Sequence, residues 1–86
     1  MAVEFKLEKY NDKDDVTTCM LDNKKYYSLI DILRAEELDN ISMDDIIDIS
    51  KEHVTHVPVV IDNRLHHMRY VDKPGINLLK KKLKEK

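Results

Sequence analysis

Apolar residues in this chain come in short runs, and the spacing within the runs changes along the sequence. Val3, Phe5 and Leu7 alternate with charged residues, which is the pattern of a strand with one buried face. The runs 16–21 and 54–61 are rich in β-branched residues and also predict strands. The segments between and after them space apolar residues three or four apart, as helices do. This mixture predicts a fold of the α+β class.

Two serines mark the beginnings of two neighbouring helices. Ser28 suits an N-cap, and the apolar spacing after it predicts a helix over residues 29–38. Ser42 is followed three residues later by Asp45, the spacing of a capping box, and predicts a second helix that runs to about His53.

The second half of the chain predicts a β-hairpin. The run 54–61 ends at the Asp-Asn pair 62–63, which suits a two-residue turn, and residues 64–71 return as a strand. Pro58 is tolerated at an edge of a sheet or near the start of a strand, so this strand is expected to have one of these two arrangements. Apolar residues of the returning strand fall on both of its faces, so we expect a bulge near residues 66–67.

The last segment predicts a helix that begins at Asp72. Asp72 suits the N-cap, Pro74 is tolerated in the first turn, and Gly75 is expected to permit a sharp backbone step. A turn over residues 22–25 completes the connections. The predicted order is β-β-α-α-β-β-α, in one α+β domain over residues 1–86.

Several classes of function lack support in the sequence. The four histidines do not have the spacing of a metal site, and the lone Cys19 has no partner for an internal disulfide, so a buried thiol is expected. A single glycine leaves no phosphate-binding loop. We therefore expect neither catalysis nor a cofactor. No stretch is apolar enough for a membrane span or a secretory signal, which predicts an intracellular location.

Charge is distributed unevenly, although the net charge is only −2. Residues 28–62 carry two basic and nine acidic residues, whereas residues 63–86 carry eight basic and two acidic ones. The two blocks either form separate surfaces or lie against each other and cancel, and the sequence leaves both outcomes open.

Each charged block predicts a candidate binding surface. Lysine and arginine neutralise phosphates, so the basic block predicts contact with nucleic acid. Its candidate residues are Arg64, Arg69, Lys73, Lys80, Lys81, Lys82 and Lys84. The acidic block predicts contact with a basic surface of a partner protein. Its candidate residues are Glu36, Glu37, Asp39, Asp44, Asp45 and Asp48. The plain alternative for both blocks is a solvated face, and an edge strand adds weak support for a homo-oligomer.

Two segments resemble a known family. Residues 26–33, YYSLIDIL, are similar to the aromatic-aromatic-Ser-Leu-x-Asp-Val/Ile-Leu segment of the Bro-N domain, the N-terminal module of viral Bro proteins and phage antirepressors. Residues 70–79, YVDKPGINLL, are similar to the Tyr-Val-x-Glu-x-Gly-Leu-x-x-Leu segment of that family. The order of the segments agrees, and so does a hairpin before the first one. The chain has Tyr26 where the family pattern has Trp.

The resemblance implies a small α+β fold carried by phages or other mobile elements, with a regulatory role and DNA as the ligand. Two functions are expected on this basis. The first is a non-enzymatic regulatory protein that binds nucleic acid through the basic block. The second is a protein-binding inhibitor of a host or defence factor that acts through the acidic block.

Overall fold

Five strands and three helices make up the described parts of the chain, residues 4–38 and 41–84 of the computed structural model. In chain order they are β1 (Phe5–Lys9), β2 (Asp15–Leu21), β3 (Lys24–Ser28), α1 (Leu29–Ala35), α2 (Met43–His53), β4 (Val54–Ile61), β5 (Arg64–Val71) and α3 (Lys73–Lys84). The strands form one antiparallel sheet in the order β1-β2-β3-β5-β4. The predicted α+β class is confirmed.

Strand β3 is missing from the predicted order β-β-α-α-β-β-α, which is wrong at this position. Asp22 and Asn23 have φ angles of 51° and 65° and form the whole turn. Two residues in this left-handed conformation match the twist of the flanking strands, so pairing resumes at once with Lys24 opposite Leu21. Lys25 is also part of the strand and not of the predicted turn. The observed order is β-β-β-α-α-β-β-α.

The β4–β5 hairpin has the same kind of turn and an uninterrupted register. Asp62 and Asn63 have φ angles of 52° and 64°, which confirms the predicted turn. Every residue of the run 54–61 faces one partner in β5, so the predicted bulge is wrong. A bulge is not needed, because both faces of β5 are packed: Val71 lies in one apolar cluster and Tyr70 in another.

Helices cover one face of the sheet and enclose the main core. Val71 of β5 packs with Ile32 of α1 and with Ile76 and Leu79 of α3, and all four side chains have no exposed surface. Each helix directs its apolar side toward this cluster, as the helical spacing in the sequence predicts. The cluster consists of Val16, Leu29, Ile32, Leu38, Ile46, Ile49, Val71, Ile76 and Leu79.

Helix α1 ends at Ala35 and not at the predicted Leu38. Glu37 has a φ angle of 55°, and its N–H donates to the carbonyl of Arg34 at 3.2 Å. The N–H of Leu38 donates to the carbonyl of Leu33 at 2.8 Å. These two bonds form a Schellman motif, which closes the helix and directs Leu38 into the main core, where it is buried.

The opposite face of the sheet holds a smaller apolar cluster around Cys19, Val57 and Tyr70, all buried. The ring of Phe5 lies 5.9 Å from that of Tyr70, although two strands separate β1 from β5. Flat strands spaced about 4.8 Å apart would keep these rings farther apart, so the sheet is strongly curled around the cluster. The buried position predicted for Cys19 is confirmed, and burial raises the pKa of its thiol.

Strand β1 does not have the predicted buried face. Phe5 is 40% exposed and Leu7 is 71% exposed. Helix α1 packs on β2, β3 and β5, and α3 packs on β3, so this outer strand receives little cover. Val3, the third residue of the predicted alternation, lies outside the described residues.

Candidate functional site

The outer part of the β4–β5 hairpin extends past its neighbours in the sheet. Strand β3 ends at Ser28, opposite Tyr70, where the chain turns into α1. Strand β4 forms the edge on the other side. Residues 56–61 and 64–69 therefore form a two-stranded segment with no further strand on either side in the described chain. We call this segment the distal ribbon.

The distal ribbon is basic and apolar. Strands β4 and β5 contain no Asp or Glu, and the only acid of the hairpin is Asp62 in the turn. Arg64 and Arg69 are exposed and form no ion pair with another described residue. The other exposed histidine and large apolar side chains here are His56, His66, His67, Val60, Ile61 and Leu65.

A groove of about 340 Å³ lies between the distal ribbon and the first two helices. The helices contribute an apolar wall of Leu29, Ile30, Leu33 and Ile46. On the ribbon side, the polar groups are two imidazoles and the Arg69 guanidinium, and none of the described residues that line the groove is acidic. This arrangement suits an apolar ligand that also carries negative charge.

The lysines of α3 are partly neutralised by the acidic block. The ammonium of Lys80 lies 3.1 Å from Glu36 of the α1–α2 connection, and that of Lys82 lies 3.0 Å from Asp48 of α2. The two charge blocks thus meet along α3 instead of facing solvent as separate surfaces.

The remaining basic candidates differ in their surroundings. Lys81 is exposed and has no ion pair within residues 4–38 and 41–84. The ammonium of Lys73 lies 5.7 Å from the centre of the Tyr10 ring, a cation–π contact that leaves its charge available. Nothing is described for the side chain of Lys84.

The acidic candidates also divide by role. The carboxylate of Asp45 accepts bonds from the N–H and hydroxyl of Ser42 at 3.3 and 3.0 Å, and the Ser42 hydroxyl accepts the Asp45 N–H at 3.3 Å. This confirms the predicted capping box at α2. Glu37 and Asp44 are exposed without an ion pair in the described chain. Asp39 lies outside the described residues.

Asp72 is the centre of a charged cluster. The sequence predicted its role as an N-cap but not its contacts with other segments. The Asp72 carboxylate is 1% exposed and lies 2.7 Å from the Lys24 ammonium and 3.0 Å from Nδ1 of His53. It also accepts the Gly75 N–H at 2.8 Å, which confirms the N-cap. Burial alone would raise the pKa of Asp72, but the bonds from Lys24, Gly75 and His53 together lower it. No spacing in the sequence links these segments, because only the sheet brings β3 beside the α2 and α3 ends.

Glycine is needed at position 75 because a side chain would not fit there. The backbone angle is ordinary, so the expected backbone role is wrong. Gly75 has no positive φ. A Cβ on this residue would lie 2.6 Å from Cγ2 of Val71 and 2.7 Å from Cβ of His53. The missing side chain lets α3 approach the end of α2, where the Asp72 cluster joins both helices to β3.

A second cavity, of about 300 Å³, lies beside Tyr10, and its wall carries charges of both signs. Lys25 and Glu8 on its wall lie 2.8 Å apart. Burial and the nearby Glu36 carboxylate raise the pKa of Tyr10 to about 12. Among the described residues, no three His, Cys, Asp or Glu side chains are placed to hold a metal ion. The distal ribbon with its groove is therefore the candidate site.

Comparisons with known proteins do not add to this geometry. No family model, curated protein or solved structure matches the chain. None of the described helices combines the length and apolar character needed to cross a membrane.

Proposed function

We propose that this protein is a non-enzymatic regulatory protein of a phage or another mobile element, with a Bro-N-like fold, that binds nucleic acid in the cytoplasm of the host cell. The resemblance of residues 26–33 and 70–79 to Bro-N segments supports the family. The observation that carries the binding function is the distal ribbon, in which two exposed arginines without ion pairs lie on strands that contain no acid.

The shape of the distal ribbon suits this role. The major groove of duplex DNA is wide enough for a two-stranded β-ribbon, and arginine contacts both phosphates and guanine edges. Arg64 and Arg69 lie at opposite ends of the ribbon strand β5, and Lys73 and Lys81 add positive charge nearby in the chain. Lys80 and Lys82 contribute less, because a phosphate must compete with Glu36 and Asp48 for them.

Fluorescence anisotropy with labelled duplex DNA at about 50 and 200 mM salt tests the proposal. We expect binding at low salt that weakens steeply at the higher salt. In Arg64→Gln/Arg69→Gln, loss of two phosphate contacts should reduce the slope of log K against log salt by about 1.8. Lys9→Gln/Lys51→Gln removes the same charge from exposed sites elsewhere and should leave the slope nearly unchanged.

Two results would overturn nucleic-acid binding by the ribbon. One is no binding to duplex or single-stranded probes at low salt. The other is an equal loss in the ribbon variant and in the control, since net charge alone would then explain the affinity. Circular dichroism of each variant establishes that the fold is retained.

A second candidate is a protein-binding inhibitor of a host or defence factor that acts through the acidic block. The exposure of Glu37 and Asp44, neither of which forms an ion pair in the described chain, favours it. A partner recovered from host lysate is titrated with Glu37→Gln/Asp44→Asn and with the control Glu4→Gln/Asp12→Asn. Equal affinity of the purified partner for both variants removes this candidate.

A further inference from the structure

Strand β5 has an open hydrogen-bonding edge along the distal ribbon. Proline has no N–H, so the pair Pro58–His67 belongs to the pairs of an antiparallel ladder that exchange no hydrogen bonds. The N–H and carbonyl of His67 therefore point away from β4, and by alternation so do those of Leu65. Both residues are exposed, and no described backbone or side-chain group accepts their N–H groups.

This open edge exists because β3 leaves the sheet at Ser28. The same departure would expose the edge of β2, but there the N–H of Thr17 donates to the Asp31 carboxylate at 2.9 Å. No described residue satisfies the edge of β5 in this way. The fold thus closes one side of the gap and leaves the other side available to a ligand.

The gap opens on the groove between the distal ribbon and the helices. A strand added beside β5 would point its alternate side chains to the groove side, because cross-strand partners share one face of a sheet. Leu29, Ile30 and Leu33 form the wall that these side chains would meet. Arg69, which has no ion pair in the described chain, lies at one end of the gap, with His56 opposite it in the ladder.

We propose that the open edge of β5 is a docking site for an extended, acidic segment of a partner protein, which adds to the sheet as a strand antiparallel to β5. Main-chain bonds to Leu65 and His67 supply affinity, as in other cases of strand addition. A carboxylate opposite Arg69 and apolar side chains opposite His67 and Leu65 supply specificity. The site uses none of the acidic candidate residues, and the inference does not depend on nucleic-acid binding.

The probe is a short, capped, fluorescent peptide in which every second residue is threonine. The positions between the threonines are, in chain order, one glutamate and two valines. Anisotropy titration with the full chain should show saturable binding. Replacing the glutamate of the peptide by lysine should weaken binding about tenfold or more, because it places two cations together. Arg69→Gln should weaken binding of the glutamate peptide to a similar extent. Arg64→Gln, a matched change beyond the gap, should have little effect.

Methylated peptides test the strand register directly. N-methylation of the valine opposite His67 removes a donor that faces β5 and should abolish binding. N-methylation of the neighbouring threonine, whose N–H faces away from β5, should not. Hydrogen exchange should show new protection at the Leu65 and His67 amides when the peptide is added, with no change at His66, which already pairs with Val59.

Several outcomes would overturn this inference. They are no binding of the glutamate peptide, equal binding of the lysine peptide, and equal effects of the two methylations. Protection of the Leu65 and His67 amides that rises with protein concentration alone would assign the edge to a second copy of the chain. Protection by duplex DNA without any peptide binding would assign it to nucleic acid. The DNA titration is measured separately, so either proposal can fail while the other stands.

Discussion

Gly75 shows how the absence of a side chain permits close packing between α3 and its neighbours. It lies in the first turns of α3, where alanine would be a better helix former by about 1 kcal/mol. The close approach of Val71 and of the His53 Cβ leaves no room for a methyl group, and Val71 is fully buried and stiff. Packing therefore outweighs helix propensity at this position.

We predict that Gly75→Ala lowers the free energy of unfolding by about 2 kcal/mol, because the added methyl group forces α3 away from α2. Urea denaturation measures the change. Asn77→Ala, at an exposed position of the same helix, serves as the control and should stabilise slightly. A gain in stability for Gly75→Ala would show that α3 can shift freely.

The lowered pKa of a single residue, Asp72, makes the free energy of unfolding depend on pH. A carboxyl whose pKa is lowered by folding stabilises the fold above its unfolded pKa of about 3.9 and loses this effect as the pH falls through the folded pKa. We predict that Asp72→Asn lowers the free energy of unfolding by about 2 kcal/mol at neutral pH, since the charged bonds to Lys24 and His53 are weakened.

Denaturation across an acid series checks this prediction. The difference between Asp72→Asn and the unchanged chain should begin to shrink below about pH 4, where the unfolded chain takes up the proton. It should be lost once the pH falls through the lower folded pKa, where the carboxyl is protonated in both states. Asp12→Asn, in an exposed loop, should behave as the unchanged chain at every pH. A difference for Asp72→Asn that stays constant with pH would mean that shape, and not charge, matters here.

Among the elements, α1 has the most constrained end. Glu37 occupies the left-handed position of a Schellman motif that glycine usually fills, and it bears one of the acidic candidate charges. The motif is retained because it buries Leu38 in the main core. The end of the helix is thus set by packing of the residue after it.

We predict that Glu37→Gly raises the free energy of unfolding by about 1 kcal/mol, because glycine adopts this angle without strain. Glu37→Gln removes the same charge but keeps the side chain, so its stability should be close to that of the unchanged chain. Thermal and urea denaturation of both variants separate the two effects. Equal stabilisation by both would point to relief of charge repulsion instead.

In the whole molecule, the two charge blocks meet along α3. The pairs Lys80–Glu36 and Lys82–Asp48 lie at the surface, where such pairs contribute about 0–1 kcal/mol. Their main effect is to reduce the free positive charge of α3, whereas Arg64 and Arg69 of the distal ribbon form no ion pair in the described chain. Among the described residues, α2 contributes the apolar Ile46 and no acid to the groove beside this region.

We predict that Lys80→Gln/Lys82→Gln lowers the free energy of unfolding by less than about 1 kcal/mol, and that about 1 M salt removes the difference. Thermal denaturation at low and high salt measures this. In the DNA titration, the same variant should lose less affinity than Arg64→Gln/Arg69→Gln, because its lysines are already paired. A larger loss would move the nucleic-acid surface back to α3.

Local patterns were sufficient for much of this fold. The capping box at Ser42 predicted the beginning of α2, the turn at 62–63 predicted the hairpin, and Asp72 predicted the beginning of α3. Each signal depends on residues a few positions apart, so the chain satisfies it wherever the element lies. The missed strand β3 follows an Asp-Asn turn at 22–23 of the same kind as the turn at 62–63, so its pairing with β2 has a local signal. Its pairing with β5 has none, because β5 lies far along the chain.

The sequence by itself determined the types of most elements, the caps of α2 and α3 and the size of the two charge blocks, because these follow from composition and short-range spacing. The N-cap predicted at Ser28 is different, because its side chain makes no cap hydrogen bond. Only the tertiary structure decided which charges cancel, which carboxylate is buried between three segments, and which strand edge stays open. These outcomes depend on contacts between residues far apart in the chain, such as Lys24 with Asp72, and on the point where β3 leaves the sheet. No local pattern encodes such contacts, since their energies arise only when the core has packed.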